Sequence, residues 1–331
     1  MPPVIQTGQL TKIYRTYKKE AGFAGAVRGL FHRQYKETAA ARDITLEVRK
    51  GELVGFLGPN GAGKTTVLKM LSGLLYPTSG TAQVLGFTPW ERKNEFRRQF
   101  ALVLGQKNQL WWDLPAQESL ELNRVIYGLE KTSAQKTIDE LTLLLDVRDK
   151  LNVMVRELSL GERMKMELIA ALLHRPKVLF LDEPTIGLDV VSQKKVREFL
   201  RHYTAQNKIT TLLTSHYMQD IEELCERVLI IDHGKLFFDG SLQQILGSFA
   251  SHKIVSLSRA GGLPECDFSR YGDVLEKDFS SVRLRVSRRE IVSASRELLG
   301  ALQADDISIE EVPIEDVIRE VFSRQTTASA R

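Results

Sequence analysis

Residues 53–66 read L-V-G-F-L-G-P-N-G-A-G-K-T-T, a short apolar run that breaks into glycines and ends on Lys64, Thr65 and Thr66. The apolar run has the composition of a strand buried on both faces. Behind the glycines, V-L-K-M-L-S-G-L-L (67–75) carries a helical pattern. Gly58, Gly61 and Gly63 permit a tight turn whose backbone N–H groups point inward, at the positive end of the helix that follows. Such a strand–turn–helix is a phosphate cradle. Lys64 is placed to reach the β and γ phosphates, the Thr65 hydroxyl to bind a magnesium ion, and Thr66 to bond a phosphate oxygen; Pro59, Asn60 and Ala62 complete the loop. With glycine at about 7% of residues in ordinary proteins, a chance match at four fixed positions is on the order of one in a hundred.

Two further strand-like runs extend this beginning. V-L-F-L-D-E (178–183) is apolar and then turns acidic, which puts Asp182 at a strand end to hold the metal and Glu183 beside it to polarise a water. T-T-L-L-T-S-H (210–216) ends on His216. In an open α/β sheet, ligands bind at the carboxyl edge of the strands, so one cleft collects the glycine loop, Asp182, Glu183 and His216. Apolar runs alternate with helical segments from about 44 to 231, the pattern of a parallel sheet wrapped by helices. V-L-I-I-D-H-G-K-L-F-F (228–238) reads as two strands around a D-H-G turn. A mostly helical stretch spans about 89–175, and in it Ile138, Leu141, Leu144 and Leu145 are expected on one apolar face.

Composition bounds the rest. The chain has 331 residues, 43% of them hydrophobic, enough for two domains with real cores. A net charge of +4 does not by itself call for nucleic acid or an anionic membrane. Cys225 and Cys266 stand far apart without histidines at metal spacing, which implies a reducing compartment and no disulfide or zinc framework. No apolar stretch approaches the roughly 20 residues that span a bilayer, and the start M-P-P-V-I-Q-T-G has no apolar leader. The chain is expected in the cytosol, acting at a membrane only through another protein or the lipid surface. Past about 241 the pattern becomes α+β: a loop S-R-A-G-G-L-P-E-C-D, a strand at 282–287, a helix, a strand I-S-I-E-E-V and a last helix. The expected division is 1–240, with an insert at about 18–41, and 241–331 as an accessory or regulatory unit.

E-L-S-L-G-E-R (157–163) poses its own question, because Ser159 followed by Glu162 is a capping box and needs no further role to explain it. The whole set, G-P-N-G-A-G-K-T-T, Gln106, E-L-S-L-G-E-R, V-L-F-L-D-E-P-T, G-L-D (187–189) and T-S-H (214–216), resembles the nucleotide-binding subunit of ATP-binding cassette transporters over about residues 4–240. The form E-P-T-I-G-L-D and the separate carboxyl-terminal unit look most like the ATPase subunits of type-2 exporters. The resemblance implies a P-loop NTPase core that binds ATP and Mg²⁺ and hydrolyses ATP. It also implies a homodimer in which Ser159, Gly161 and Glu162 of one copy meet the nucleotide on the other, and a separate integral membrane permease as partner. It places the chain at the cytoplasmic face of the membrane, peripherally, with no nucleic acid.

The resemblance further implies a metal and water contact for Gln106, with Gln109 as competitor, adenine stacking for Tyr14, with Tyr17 or Tyr35 as substitutes, and a nucleotide-pocket place for Asp189. The family's L-S-G-G-Q appears here as L-S-L-G-E, with Leu160 and Glu162 departing from it. Trp111 and Trp112 either meet the membrane subunit or fill the helical region's own core. In the insert, Phe23, Val27, Leu30 and Phe31 share one helical face near Arg28, Arg33 and Lys36, a basic amphipathic helix for the membrane or permease surface, or one packed on its own domain. The alternative function is a soluble cassette ATPase acting on ribosomes or nucleic acid; a third is a nucleotide sensor without catalysis, which Glu183 and His216 disfavour.

Overall fold

The structure is a computed structural model that describes residues 2–17, 35–105, 109–215, 217–249, 251–264, 266–302, 305–313 and 316–318. The chain divides into two compact units, Met1–Gly240 and Ser241–Arg331.

In the first unit β3 (Leu53–Leu57), β6 (Val178–Asp182) and β7 (Thr210–Thr214) are short and almost wholly buried, as strands covered on both faces must be. With β5 (Phe100–Leu104), β8 (Arg227–Asp232) and β9 (Lys235–Ser241) they form one sheet of order β5-β6-β7-β3-β8-β9. Pairing from β5 through β8 is parallel. Between β8 and β9, His233 and Gly234 both take positive φ, 45° and 78°, the requirement of a tight hairpin turn whose twist matches its strands.

A second sheet is antiparallel: β1 (Ile5–Tyr17) lies between β2 (Tyr35–Val48) and β4 (Ser79–Val84). The first helix, α1 (Lys64–Leu71), shares one core with both sheets. That core takes Ile5, Leu10, Ile44 and Leu46 from the antiparallel sheet, Phe56, Phe180, Leu212 and Leu229 from the parallel one, and Val67, Leu68, Met70 and Leu71 from the helix. Each such buried side chain contributes roughly 1.5–3 kcal/mol over an exposed one. This pins the glycine loop between two sheets.

The helical part holds α2 (Ala116–Tyr127), α3 (Lys131–Leu144) and α4 (Leu160–Leu172). On α3 the buried face is Ala134, Thr137, Ile138, Leu141 and Thr142, with Leu145 buried just beyond. Leu144, expected on that face, is 55% exposed. Each i,i+3 step falls about 60° short of a full turn, so two of them carry Leu144 about 120° around from Ile138, whereas Leu145 returns to it. The proposed insert is also shorter than expected: Tyr35 to Ala41 belong to β2 and pair with β1 from Tyr17 back to Lys12. The expected amphipathic helix at Phe23–Phe31, and Arg28 and Arg33, lie outside the described residues; Lys36 is in β2. After β6 and β7 come α5 (Val190–Asn207) and α6 (Met218–Leu224). Among the described residues no helix is long and apolar enough to cross a membrane.

The second unit opens with α7 (Leu242–Phe249) and has a four-stranded antiparallel sheet of order β11-β12-β10-β13: β10 (His252–Ser258), β11 (Asp273–Lys277), β12 (Ser281–Ser287) and β13 (Asp306–Glu311). α8 (Ile291–Leu302) crosses from β12 to β13, giving a split β-α-β arrangement. Val255, Leu257, Val282, Leu284, Val286 and Leu298 form its own core.

Candidate active site

The glycine loop is shaped by what surrounds it. Gly63 has φ 107°, and a Cβ there would stand 1.9 Å from the Ala40 carbonyl oxygen of β2. A Cβ on Gly58 would stand 2.3 Å from the Ile231 carbonyl oxygen of β8. Neither position admits a side chain. Gly61, φ 79°, has open space around it and needs glycine for its backbone alone. Gly63 caps α1 without a side-chain acceptor, so the first N–H groups of α1 stay available to an anion. Thr65 and Thr66 follow Lys64 in the first turn. The Lys64 ammonium donates to the Gly58 and Pro59 carbonyls at 2.7 and 3.1 Å, folded over the loop. Burial pulls its pKa below the ordinary lysine value, while the Glu183 and Asp182 carboxylates act the other way.

The carboxyl edge of the sheet supplies the rest. The Thr65 hydroxyl donates to Asp182 Oδ2 at 2.8 Å, and the Thr214 hydroxyl donates to Asp182 Oδ1 at 2.7 Å. Three chain segments thus converge on one buried carboxylate. Thr214 stands in the T-S-H motif (214–216), which by itself assigns it no separate role; its signal is its place two residues before His216 at a strand end. Glu183 has φ 57°, a left-handed conformation, and its N–H donates to the Thr214 carbonyl at 3.0 Å. Gly105 N–H donates to the Asp182 carbonyl at 2.8 Å, and a Cβ on Gly105 would lie 2.1 Å from the Glu183 carbonyl oxygen. Gln106 and His216 lie outside the described residues. Their neighbours Gly105 and Ser215 belong to this edge. Among the described residues no group of three or more His, Cys, Asp or Glu gathers as a metal site. The adjacent Thr65 hydroxyl and Asp182 carboxylate are hard oxygen donors, which suits magnesium, an ion held by one or two carboxylates plus phosphate oxygens.

At the start of α4 the capping box is complete. The Ser159 hydroxyl accepts the Glu162 N–H at 3.2 Å, and Glu162 Oε2 accepts the Ser159 N–H at 2.9 Å. Glu162 therefore folds back on its own helix, 3.3 Å from the Lys150 ammonium. Its pKa is lowered, first by the Ser159 N–H bond. Leu160 lies over Gly187, whose Cβ would stand 3.0 Å from Leu160 Cδ2. Gly161 backs onto the start of α5: a Cβ on it would meet Ser192 Oγ at 2.5 Å. Asp189 caps α5, accepting the Ser192 N–H at 3.0 Å and the Ser192 hydroxyl at 2.6 Å. These bonds lower its pKa, the hydroxyl first.

Tyr14 stands opposite Thr38 on β2, two residues from the Ala40 that touches Gly63, with the Lys12 ammonium 5.6 Å from its ring centroid. Tyr35 is five residues from Ala40, about 16 Å along an extended strand, so Tyr14 is the nearer to the loop. Gln109 is occupied elsewhere: its side-chain amide donates to the Leu102 carbonyl, and its N–H donates to the buried Glu167 of α4 at 2.9 Å. Trp111 and Trp112 are exposed and do not fill the helical core. The Arg163 guanidinium lies 5.3 Å from the Trp112 ring.

A parallel sheet with a glycine loop ahead of α1 and a strand-end carboxylate bound to the loop's threonine defines a P-loop nucleotide triphosphatase. The ABC transporter family matches residues 41–186, and the family of EvrA-like ABC transporter C-terminal domains matches 251–310. The chain is 35% identical over 224 residues to the ABC transporter ATP-binding protein NatA of Bacillus subtilis, covering 68% of this chain and 91% of that one. It is 34% identical over 236 residues to the bacitracin transport ATP-binding protein BcrA of Bacillus licheniformis, covering 71% and 69%. Among solved structures, an ATP-binding subunit of an ABC transporter superposes with a TM-score of 0.61 at 25% identity, covering 74% of this chain and 93% of that one. A dimeric ATP-binding cassette bound to ADP and Pi superposes at 0.60 with 21% identity, covering 72% and 98%, and shares the fold. The chain belongs to the ABC transporter family as an ATP-binding subunit and is an ATPase.

Proposed function

We propose that this chain drives an exporter by closing as a head-to-tail homodimer on two ATP molecules and reopening after hydrolysis. The observation that carries the reading is the Thr65–Asp182–Thr214 convergence with Glu183 fixed beside it. Each nucleotide lies in the cradle of Gly58, Pro59, Asn60, Gly61, Ala62, Gly63, Lys64, Thr65 and Thr66, with Tyr14 stacked on adenine. The α4 tip of the other copy, Ser159 and Gly161, closes over its γ-phosphate. The open N–H groups of a helix start and the positive helix end favour that anion. A two-fold dimer completes both sites together. The backward fold of Glu162 supports this reading, since it keeps that carboxylate engaged with Ser159 and Lys150.

Thr65, Asp182 and Gln106 hold magnesium, which when bound neutralises charge on the phosphates and positions them. Glu183 accepts a proton from the attacking water, and His216 bonds the γ-phosphate. Trp111 and Trp112 meet a separate membrane permease, which sets the chain peripherally at the cytoplasmic face. The α+β unit is accessory or regulatory.

Glu183→Gln is expected to bind ATP, trap the dimer in magnesium and ATP, and lose a factor of about 10² to 10⁴ in turnover, the usual worth of a general base. Size-exclusion chromatography and phosphate release read the two effects; undiminished hydrolysis would refute the assignment. Lys64→Ala should weaken nucleotide binding, and an unchanged ATP dissociation constant would count against the cradle.

A further inference from the structure

Glu183 occupies a left-handed conformation, φ 57°, that a residue with a Cβ disfavours. The structure holds it from both sides. Before it, Asp182 is bonded to Thr214, and the Glu183 N–H itself donates to the Thr214 carbonyl. Two residues after it, the Thr185 hydroxyl donates to Asp220 Oδ2 of α6. The same oxygen accepts the hydroxyl of Ser215, the residue after Thr214. Asp220 Oδ1 accepts Arg197 Nη1 of α5 at 3.1 Å, and Arg197 Nε reaches Glu223 at 3.0 Å.

All four groups are out of water: Asp220 0% exposed, Thr185 1%, Arg197 2% and Ser215 6%. A buried ion pair is weak ground for stability, because apolar replacements of such pairs are often neutral. Its partners here are more telling. The two hydroxyls on one carboxylate oxygen come from the turn that carries Glu183 and from the strand end that precedes His216, and the Arg197 guanidinium, bonded to the other oxygen, holds that carboxylate in place.

We propose that Asp220, clamped by Arg197, is a positioning residue for ATP hydrolysis: through Thr185 and Ser215 it ties the Glu183 turn to the end of β7 and keeps Glu183 in its left-handed conformation. The inference rests on the reading of Glu183 as the general base. Asp220 is fully buried and acts by removing freedom from Glu183. A displacement of the order of an ångström at a reacting group can cost up to about a hundredfold in rate.

The test uses the full chain and four variants, Thr185→Val, Thr185→Ser, Ser215→Ala and Asp220→Asn, with kcat, KM for magnesium-ATP, ATP-binding stoichiometry and Tm measured on each. Thr185→Val keeps the side-chain shape and leaves Asp220 with its other partners, so it is the variant that folds even where Asp220→Asn does not. It should lose about tenfold to a hundredfold in kcat with ATP affinity and binding stoichiometry unchanged. Thr185→Ser, which retains the hydroxyl, should restore most of that rate. Thr185→Val and Ser215→Ala together should lose less than the product of their separate factors, since both act through one carboxylate. Wild-type kcat in Thr185→Val, failure of Thr185→Ser to recover, or a kcat loss matched by lost ATP-binding stoichiometry would overturn the proposal. Glu183→Gln in the same assay separates the two claims. If it is inactive while Thr185→Val and Ser215→Ala are unimpaired, only the Asp220 role fails; if it hydrolyses normally, the general-base reading fails and the Asp220 role with it.

Discussion

At the scale of single residues, the departures Leu160 and Glu162 show how a local contact redirects a side chain that the motif alone leaves ambiguous. Glu162 serves the capping box inside its own chain, while Leu160 lies against Gly187 and stays partly exposed. Glu162→Gln keeps an oxygen for the Ser159 N–H and should fold with its cap intact. The pH dependence has a definite sign. The folded Glu162 pKa is below its ordinary value of 4.5, so its extra stability is present above that pH and disappears as pH falls through the depressed value. The Tm advantage of the native chain over Glu162→Gln should therefore close on acidification below about 4.5, and a gap that widens there would contradict the assignment. Gly63 was legible from the motif, but its contact was not: Gly63→Ala would place a methyl inside the Ala40 carbonyl and should abolish nucleotide binding in an equilibrium titration.

At the scale of elements, α4 does two jobs at once. Its tip carries Ser159 and Gly161, and two turns on, the Glu167 carboxylate accepts the N–H groups of Gln109 and Leu110 at 2.9 and 3.2 Å. Burial pushes the Glu167 pKa up while those N–H bonds draw it back. Trp111 and Trp112 follow directly, so the exposed tryptophans and the helix tip hang on one rigid element. Truncation by Glu167→Ala strands the buried Leu110 N–H at about 1–3 kcal/mol, and a urea midpoint should fall accordingly. A midpoint within error of the native chain would mean that water or a rearranged loop replaces the carboxylate. Sequence periodicity foretold α2 and α3 but misplaced Leu144, because a stripe of leucines spaced by three drifts off a helix face.

On the scale of the whole molecule, the division into Met1–Gly240 and Ser241–Arg331 gives each unit its own apolar core. Residues 241–331 expressed alone should unfold cooperatively in a thermal melt with the far-ultraviolet dichroism of mixed strand and helix. A chain without a transition would mean that its core needs the first unit. The antiparallel sheet is the largest feature absent from the sequence reading. Tyr35–Ala41 shows no alternation of exposed and buried residues, and its pairing with β1 rests on main-chain bonds that any side chain permits.

Sequence alone determined the parallel α/β core, the phosphate loop, the Asp182–Glu183 pair and the capping box, because each is written in neighbours a few residues apart: apolar runs, glycine spacing, a serine three before a glutamate. Tertiary structure alone decided that Leu160 lies against Gly187, that Tyr14 stands nearer the loop than Tyr35, that Ala40 and Ile231 forbid side chains at Gly63 and Gly58, and that Asp220 joins Thr185 to Ser215. Those facts depend on groups tens to more than a hundred positions apart meeting at a few ångströms, and no local pattern of hydrophobicity or propensity records such a meeting.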